Sequence, residues 1–163
     1  MKKDTKKSVK AVFHILFWVY FAVAAKILIF RVSPDVFFDL MRTWNRSVIY
    51  WGLSRANFVP FKTVKMYMKY YAVTNSFTNL AGNLVIFMPL GFLLPFTWKK
   101  KHGIFAIAAL GFLISMGVEV TQLVTGLGAF DVDDLILNTA GAVIGYLIYK
   151  IMKLLFSAVD RTE

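Results

Sequence analysis

Residues 119–145 read EVTQLVTGLGAFDVDDLILNTAGAVIG and hold four of the nine acidic residues in the chain. We call these four, Glu119, Asp131, Asp133 and Asp134, the acidic corner. An apolar segment lies on either side of it, and each is close to the length of about 20 residues that crosses a bilayer. Charged groups so near hydrocarbon are rare and usually functional. We therefore expect the functional centre here, with the rest of the chain as its scaffold.

The composition is typical of an integral membrane protein. Of the 163 residues, 58% are hydrophobic, whereas a soluble domain is usually about 45–50% apolar. Cysteine is absent, which excludes disulfides, thiolate metal sites and cysteine nucleophiles. Basic residues beside membrane spans explain the net charge of +10, and no nucleic-acid-binding motif accompanies it. We predict membrane lipids as partners and no nucleic acid.

The apolar runs predict an all-α membrane protein with four transmembrane helices, at about residues 11–30, 76–96, 104–124 and 134–156. The first run competes with a cleaved signal peptide, because Ala22-Val23-Ala24 resembles a cleavage site. Its full length favours an uncleaved helix. The basic tail, residues 1–10, and the last tail, residues 157–163, are then both predicted in the cytoplasm, since basic residues concentrate inside.

The segment between the first two spans, residues 31–74, is basic and aromatic, with seven cations and two acids. We call it the apron. Its apolar residues recur at helical spacing and predict one amphipathic helix in the plane of the membrane interface. They are Phe37, Leu40, Met41, Trp44, Val48 and Trp51. The residue before Pro60 disfavours helix, and a second short helix is predicted over residues 62–71.

This topology brings the polar residues of the spans together at their outer ends. Asn79 and Asn83 share a face of the second span, as do Glu119 and Gln122 in the third. We therefore predict that these residues line an outward-facing polar pocket. The predicted ligand-binding residues are Arg55, Asn57, Lys62, Asn79, Asn83, Glu119, Gln122, Asp131, Asp134 and Asn138.

Simpler interpretations of the same residues stay open. The aspartates suit a cap of the fourth helix, worth about 0.3–1 kcal/mol each. The asparagines suit hydrogen bonds between helices, worth about 0.6 kcal/mol each. Gly141 and Gly145 form a GxxxG pattern, which favours close packing or an interface between copies of the chain. Glu119 within a span must be neutral, paired or solvated, and Arg55, Lys62 or a bound cation are its candidate partners.

Four blocks of sequence resemble the VanZ-like family, in its order and at its spacing. They are Asn57-Phe58-Val59-Pro60-Phe61, Gly82-Asn83 with Phe87-x-Pro89-x-Gly91, Glu119-x-x-Gln122, and DVDDLILNT-x-G from Asp131 to Gly141. Many relatives have an arginine in the turn before the aspartates, where this chain has Gly126-Leu127-Gly128-Ala129. The resemblance implies a three-helix core over residues 75–156.

The resemblance also implies a location and a phenotype. VanZ-like proteins are small bacterial membrane proteins, and the founding member is associated with low-level resistance to teicoplanin, a glycopeptide with a fatty acyl chain. No reaction comes with the family. We therefore expect a multi-pass protein of the bacterial cytoplasmic membrane that influences sensitivity to acylated glycopeptides.

Three functions remain in competition. The favoured one is a non-enzymatic protein whose apron and pocket bind an amphiphile, such as a lipoglycopeptide, a lipid-linked wall precursor or an envelope lipid. The second is an enzyme acting on a lipid-linked envelope substrate, with a divalent cation held by the acidic corner and Glu119 as the catalytic base. The third is a transporter or channel subunit, which would have to oligomerise. The apron residues expected to contact an amphiphile are Arg42, Trp44, Arg46, Trp51, Phe58, Lys62, Lys65 and Tyr67.

Overall fold

The computed structural model describes residues 2–29, 32–70, 76–98 and 103–159, and within them the chain is all-helical. Seven helices follow one another along these residues. They are α1 (Lys2–Leu28), α2 (Pro34–Arg42), α3 (Arg46–Arg55), α4 (Lys62–Lys69), α5 (Ser76–Thr97), α6 (Ile104–Thr125) and α7 (Val132–Val159).

Among the described residues, four helices are long and apolar enough to cross a membrane. They are α1, α5, α6 and α7, and they lie where the hydropathy of the sequence predicts spans. The predicted all-α membrane fold is therefore confirmed. The first helix begins at Lys2 and not at residue 11, so the basic tail continues the helix.

The apron differs from its prediction, because its first helix is broken in two. α2 ends at Arg42 and α3 begins at Arg46. Asn45 is extended and its side chain accepts a hydrogen bond from the backbone N–H of Ser47 at 2.9 Å, which caps α3. Trp44 lies in the break and not on a helix face. Its indole N–H donates to the carbonyl of Val124, at the end of α6, at 2.7 Å.

α7 is the central helix and packs mainly against α5 and α6. Glycines let the backbones of α5 and α7 touch. A Cβ atom on Gly145 would lie 1.9 Å from the carbonyl oxygen of Met88, and one on Gly141 would lie 2.1 Å from that of Leu84. The GxxxG pattern is therefore buried inside one chain. An interface between copies stays a prediction, but it would have to use other residues.

α1 lies at the edge of the bundle, against α5. Pro89 lies inside α5 and has no N–H, so carbonyl groups in the preceding turn need another donor. The hydroxyl of Tyr20 on α1 donates to the carbonyl of Ile86 at 2.8 Å. This bond joins α1 to α5 beside the interrupted turn.

One end of the bundle carries the apron. The side-chain amide of Gln122 donates to the carbonyl of Leu28 at 2.8 Å, which joins the last turns of α6 and α1. α5 and α7 begin at this same end, where α4 packs against both and α3 packs against α6. This arrangement brings the acidic corner to the apron.

Candidate functional site

A parallel backbone bridge joins the apron to the start of α7. The N–H of Asn57 donates to the carbonyl of Phe130 at 2.8 Å, and the N–H of Val132 donates to the carbonyl of Asn57 at 2.9 Å. The rings of Phe58 and Phe130 stack beside the bridge, with centroids 5.3 Å apart. The two segments are far apart in the chain, so the bridge fixes the apron onto the spans.

The side chain of Asn57 reinforces this bridge. Its amide N–H groups donate to a carboxylate oxygen of Asp131 at 2.8 Å and to the hydroxyl of Thr63 at 3.1 Å. Its amide oxygen accepts from the N–H of Val59 at 3.1 Å, which shapes the turn before Pro60. Asn57 is buried, and its polar atoms hold the apron in place.

Asp131 caps α7 from its N-terminus. One carboxylate oxygen accepts from the N–H of Asp133 at 2.8 Å, and the other accepts from the hydroxyl of Thr63 at 2.6 Å. The N–H of Asp131 donates to the carboxylate of Glu119 at 2.9 Å. Glu119 is 1% exposed, so its carboxyl group lies at the bottom of this network.

Asp133 caps a different helix. Its carboxylate accepts from the N–H groups of Phe61 and of Val64, the latter at 3.0 Å, both at the start of α4. Phe61 has a φ of 63°, in the left-handed region that is costly for a bulky residue. This conformation places the first turn of α4 against the carboxylate of Asp133, which is fully buried. The negative charge of that carboxylate also complements the positive end of the α4 dipole.

Two asparagines join the spans to one another. The amide of Asn83 on α5 donates to the carboxylate of Asp134 on α7. The amide of Asn138 donates to the hydroxyl of Ser115 on α6 at 2.8 Å, and both residues are buried. The amide oxygen of Asn138 has no hydrogen-bond partner within the described part of the chain.

The structure thus brings seven predicted site residues into one network or its immediate surroundings at one end of the bundle: Asn57, Asn83, Glu119, Gln122, Asp131, Asp134 and Asn138. The side chain of Asn79 lies outside the described residues. Whether these residues bind a ligand stays a prediction.

The charge partner of Glu119, which was expected to be Arg55, Lys62 or a bound cation, stays a prediction. Arg55 and Lys62 are both exposed. The N–H of Asp131 donates a hydrogen bond to Glu119 at 2.9 Å.

The predicted metal ligands do not converge. Across residues 2–29, 32–70, 76–98 and 103–159, no three acidic or histidine side chains form a group that could hold a metal ion. Glu119 and Asp131 contact the turn before α7, Asp133 contacts α4, and Asp134 contacts α5. Each carboxylate is directed by its own neighbour.

Sequence reasoning missed Thr63, Ser115 and the bond of Trp44. Ser115 had a signal, since it lies four residues before Glu119 and so on the same helix face. Thr63 had none, because its partner Asp131 is 68 residues away in the sequence. Trp44 was predicted to lie on the apolar face of one amphipathic helix, but that helix is interrupted at Asn45.

Comparison with known proteins agrees with the sequence blocks. The family model described as VanZ/LLP1 matches residues 12–153. Protein VanZ of Enterococcus faecium is 32% identical over 79 residues, which make up 48% of this chain and 48% of that protein. The similarity therefore spans about half the length of this relative. No solved structure gives a significant match.

Proposed function

Because this chain belongs to the VanZ/LLP1 family, we propose that it is a membrane protein that lowers the sensitivity of a bacterial cell to acylated glycopeptides of the teicoplanin type. It does so by binding an amphiphile on the apron. The ligand is the acylated glycopeptide, a lipid-linked wall precursor or an envelope lipid. The acidic corner holds the binding surface in place.

The observation that carries this proposal is that buried hydrogen bonds fix a segment of the apron whose aromatic side chains are exposed. Asn57, Asp131 and Asp133 hold the turn and the start of α4 through backbone and side-chain hydrogen bonds. Large apolar side chains on this held segment remain exposed. Phe58 is 60% exposed and Phe61 is 51% exposed. Exposed phenylalanine rings present large apolar surfaces that an acyl chain can cover.

Charge supports an amphiphile with an anionic part. Four cations of the apron are exposed: Arg42, Arg46, Lys62 and Lys65. Trp51, on α3, is 70% exposed. Aromatic surface beside lysine and arginine suits an acyl chain or aromatic ring attached to a phosphate or carboxylate.

Drug susceptibility tests the proposal. Cells would express wild type, Phe58→Ala/Phe61→Ala or the control Phe105→Ala, at matched membrane levels. Phe105 is 87% exposed but lies at the start of α6, at the far end of the bundle. We expect wild type and Phe105→Ala to protect against teicoplanin and the double variant to lose protection. Vancomycin, which has no acyl chain, is the second control.

Two results would oppose the proposal. Equal protection against vancomycin would show that the acyl chain is not recognised. Full protection against teicoplanin by Phe58→Ala/Phe61→Ala would show that these two rings do not bind the ligand.

The proposed location of the apron is the outer face of the cytoplasmic membrane, with both termini inside. The chain has no cysteine, so single cysteines can report on each end without background. We expect a membrane-impermeant maleimide to label Ser54→Cys in intact cells and to label Ser157→Cys only after lysis. Both serines are exposed. The reverse labelling pattern would invert the topology.

A further inference from the structure

An apolar groove lies at the opposite end of the bundle from the acidic corner. It has a volume of about 630 Å³ and runs between α1, α5 and α7. This volume is within the range of about 300–1,000 Å³ that is typical of ligand sites. Phe13, Phe96, Tyr149, Lys153 and Ser157 are among the residues that line it.

Aromatic contacts between helices form the groove walls. The rings of Phe13 and Phe96 stack with centroids 3.9 Å apart, and Tyr149 meets Phe96 edge-on at 5.0 Å. These three residues come from α1, α5 and α7. Because each ring is packed against a ring of another helix, the walls are a feature of the bundle and not of one mobile side chain.

Polar groups are confined to one side of the groove. Lys153 lines it, with its ammonium nitrogen 5.9 Å from the centroid of the Tyr149 ring. Ser157 is one turn closer to the end of α7. Lys10 is exposed and lies one turn before Phe13, towards the same end of the bundle. The groove is thus apolar along its length and cationic towards the start of α1 and the end of α7.

We infer that this groove binds an anionic phospholipid, with an acyl chain against Phe13 and Phe96 and the phosphate beside Lys153. A groove lined by aromatic rings excludes water and suits hydrocarbon. Basic residues beside such grooves between membrane helices recognise anionic headgroups. The site is separate from the apron, so it does not depend on the proposed function.

Lipid binding to the purified full-length chain tests this site. The protein in a non-ionic detergent would be titrated with phosphatidylglycerol, or with phosphatidylcholine of the same acyl chains, and bound lipid counted by native mass spectrometry. We expect phosphatidylglycerol to be retained preferentially. Lys153→Gln should weaken its binding by about fivefold, the value of one cation near a lipid phosphate.

Lys150→Gln is the matched control, because Lys150 is exposed on α7 but is not among the residues that line the groove. We expect it to bind phosphatidylglycerol like wild type. Equal losses for Lys150→Gln and Lys153→Gln would show general charge attraction and overturn the site. Equal retention of the two lipids would overturn headgroup recognition.

Ser157→Trp supplies a test that keeps both lysines. Its indole would fill part of the groove, and we expect phosphatidylglycerol binding to fall while far-UV circular dichroism stays that of wild type. Soluble glycerol 3-phosphate should not compete, because it has no acyl chain. Undiminished binding to Ser157→Trp, or full competition by glycerol 3-phosphate, would overturn the proposal.

Discussion

Asn57 and Asp131 are joined twice, by a side-chain hydrogen bond of 2.8 Å and by a parallel backbone bridge, although 74 residues separate them in the chain. This pair is the point where the apron attaches to the membrane spans. The carboxylates around it accept hydrogen bonds from backbone or side-chain donors. Because the N–H of Asp131 donates to Glu119 and the N–H of Asp133 donates to Asp131, the effects of substituting these residues together should not be additive.

Asp133 should hold the start of α4 in place. Asp133→Ala leaves the N–H groups of Phe61 and Val64 without their acceptor, and we expect a loss of about 1–3 kcal/mol in the free energy of unfolding. Trypsin should then cut faster at Lys62 and Lys65 in protein held in micelles. The control is Asp35→Ala, since Asp35 is exposed in the first turn of α2. Unchanged cleavage of Asp133→Ala would contradict the cap.

Two substitutions of Glu119 distinguish a role in supporting the turn before α7 from a role in function. Glu119→Gln keeps an oxygen that can accept from the N–H of Asp131, so its melting temperature should stay close to wild type. Glu119→Leu removes the acceptor and should lower the free energy of unfolding by about 1–3 kcal/mol. Differential scanning fluorimetry in micelles measures both. If Glu119→Gln folds normally yet abolishes protection against teicoplanin, the carboxylate does more than support the turn.

Gly145 should tolerate no side chain. The Cβ atom of Gly145→Ala would lie 1.9 Å from the carbonyl oxygen of Met88 and force α5 and α7 apart. We expect a loss of about 1–3 kcal/mol in the free energy of unfolding. Gly82→Ala is the matched control on α5, where nothing lies within 4 Å, and removing glycine from a helix should stabilise by about 0.5–1 kcal/mol. Equal melting temperatures for Gly145→Ala and Gly82→Ala would refute the close contact at Gly145.

Asn138 and Ser115 should be energetically coupled. A double-mutant cycle with Asn138→Ala and Ser115→Ala isolates their hydrogen bond of 2.8 Å. Such bonds between membrane helices average about 0.6 kcal/mol, and we expect a coupling energy of that size and favourable sign. Unfolding in micelles by a denaturing detergent provides the free energies. Strict additivity of the two substitutions would mean that the bond contributes nothing.

Much of the site was accessible from the sequence because helix geometry is regular. The prediction that Asn83, Glu119 and Asp134 meet at one end of the bundle needed only span positions and topology, and the structure places Asn83 and Asp134 in contact. Partners were harder to assign. Charge suggested Arg55 or Lys62 for Glu119, whereas no feature of the sequence indicated the hydrogen bond that it accepts from the N–H of Asp131 at 2.9 Å.

The sequence by itself determined the membrane class, the four spans and their approximate bounds, because hydropathy and helical periodicity are local properties of the chain. Only the tertiary structure decided that Asp131 caps α7 while Asp133, two residues later, caps α4. It also decided that Gly141 and Gly145 face α5. These outcomes depend on which helices are neighbours, and that choice is made by packing between segments that are distant in the sequence.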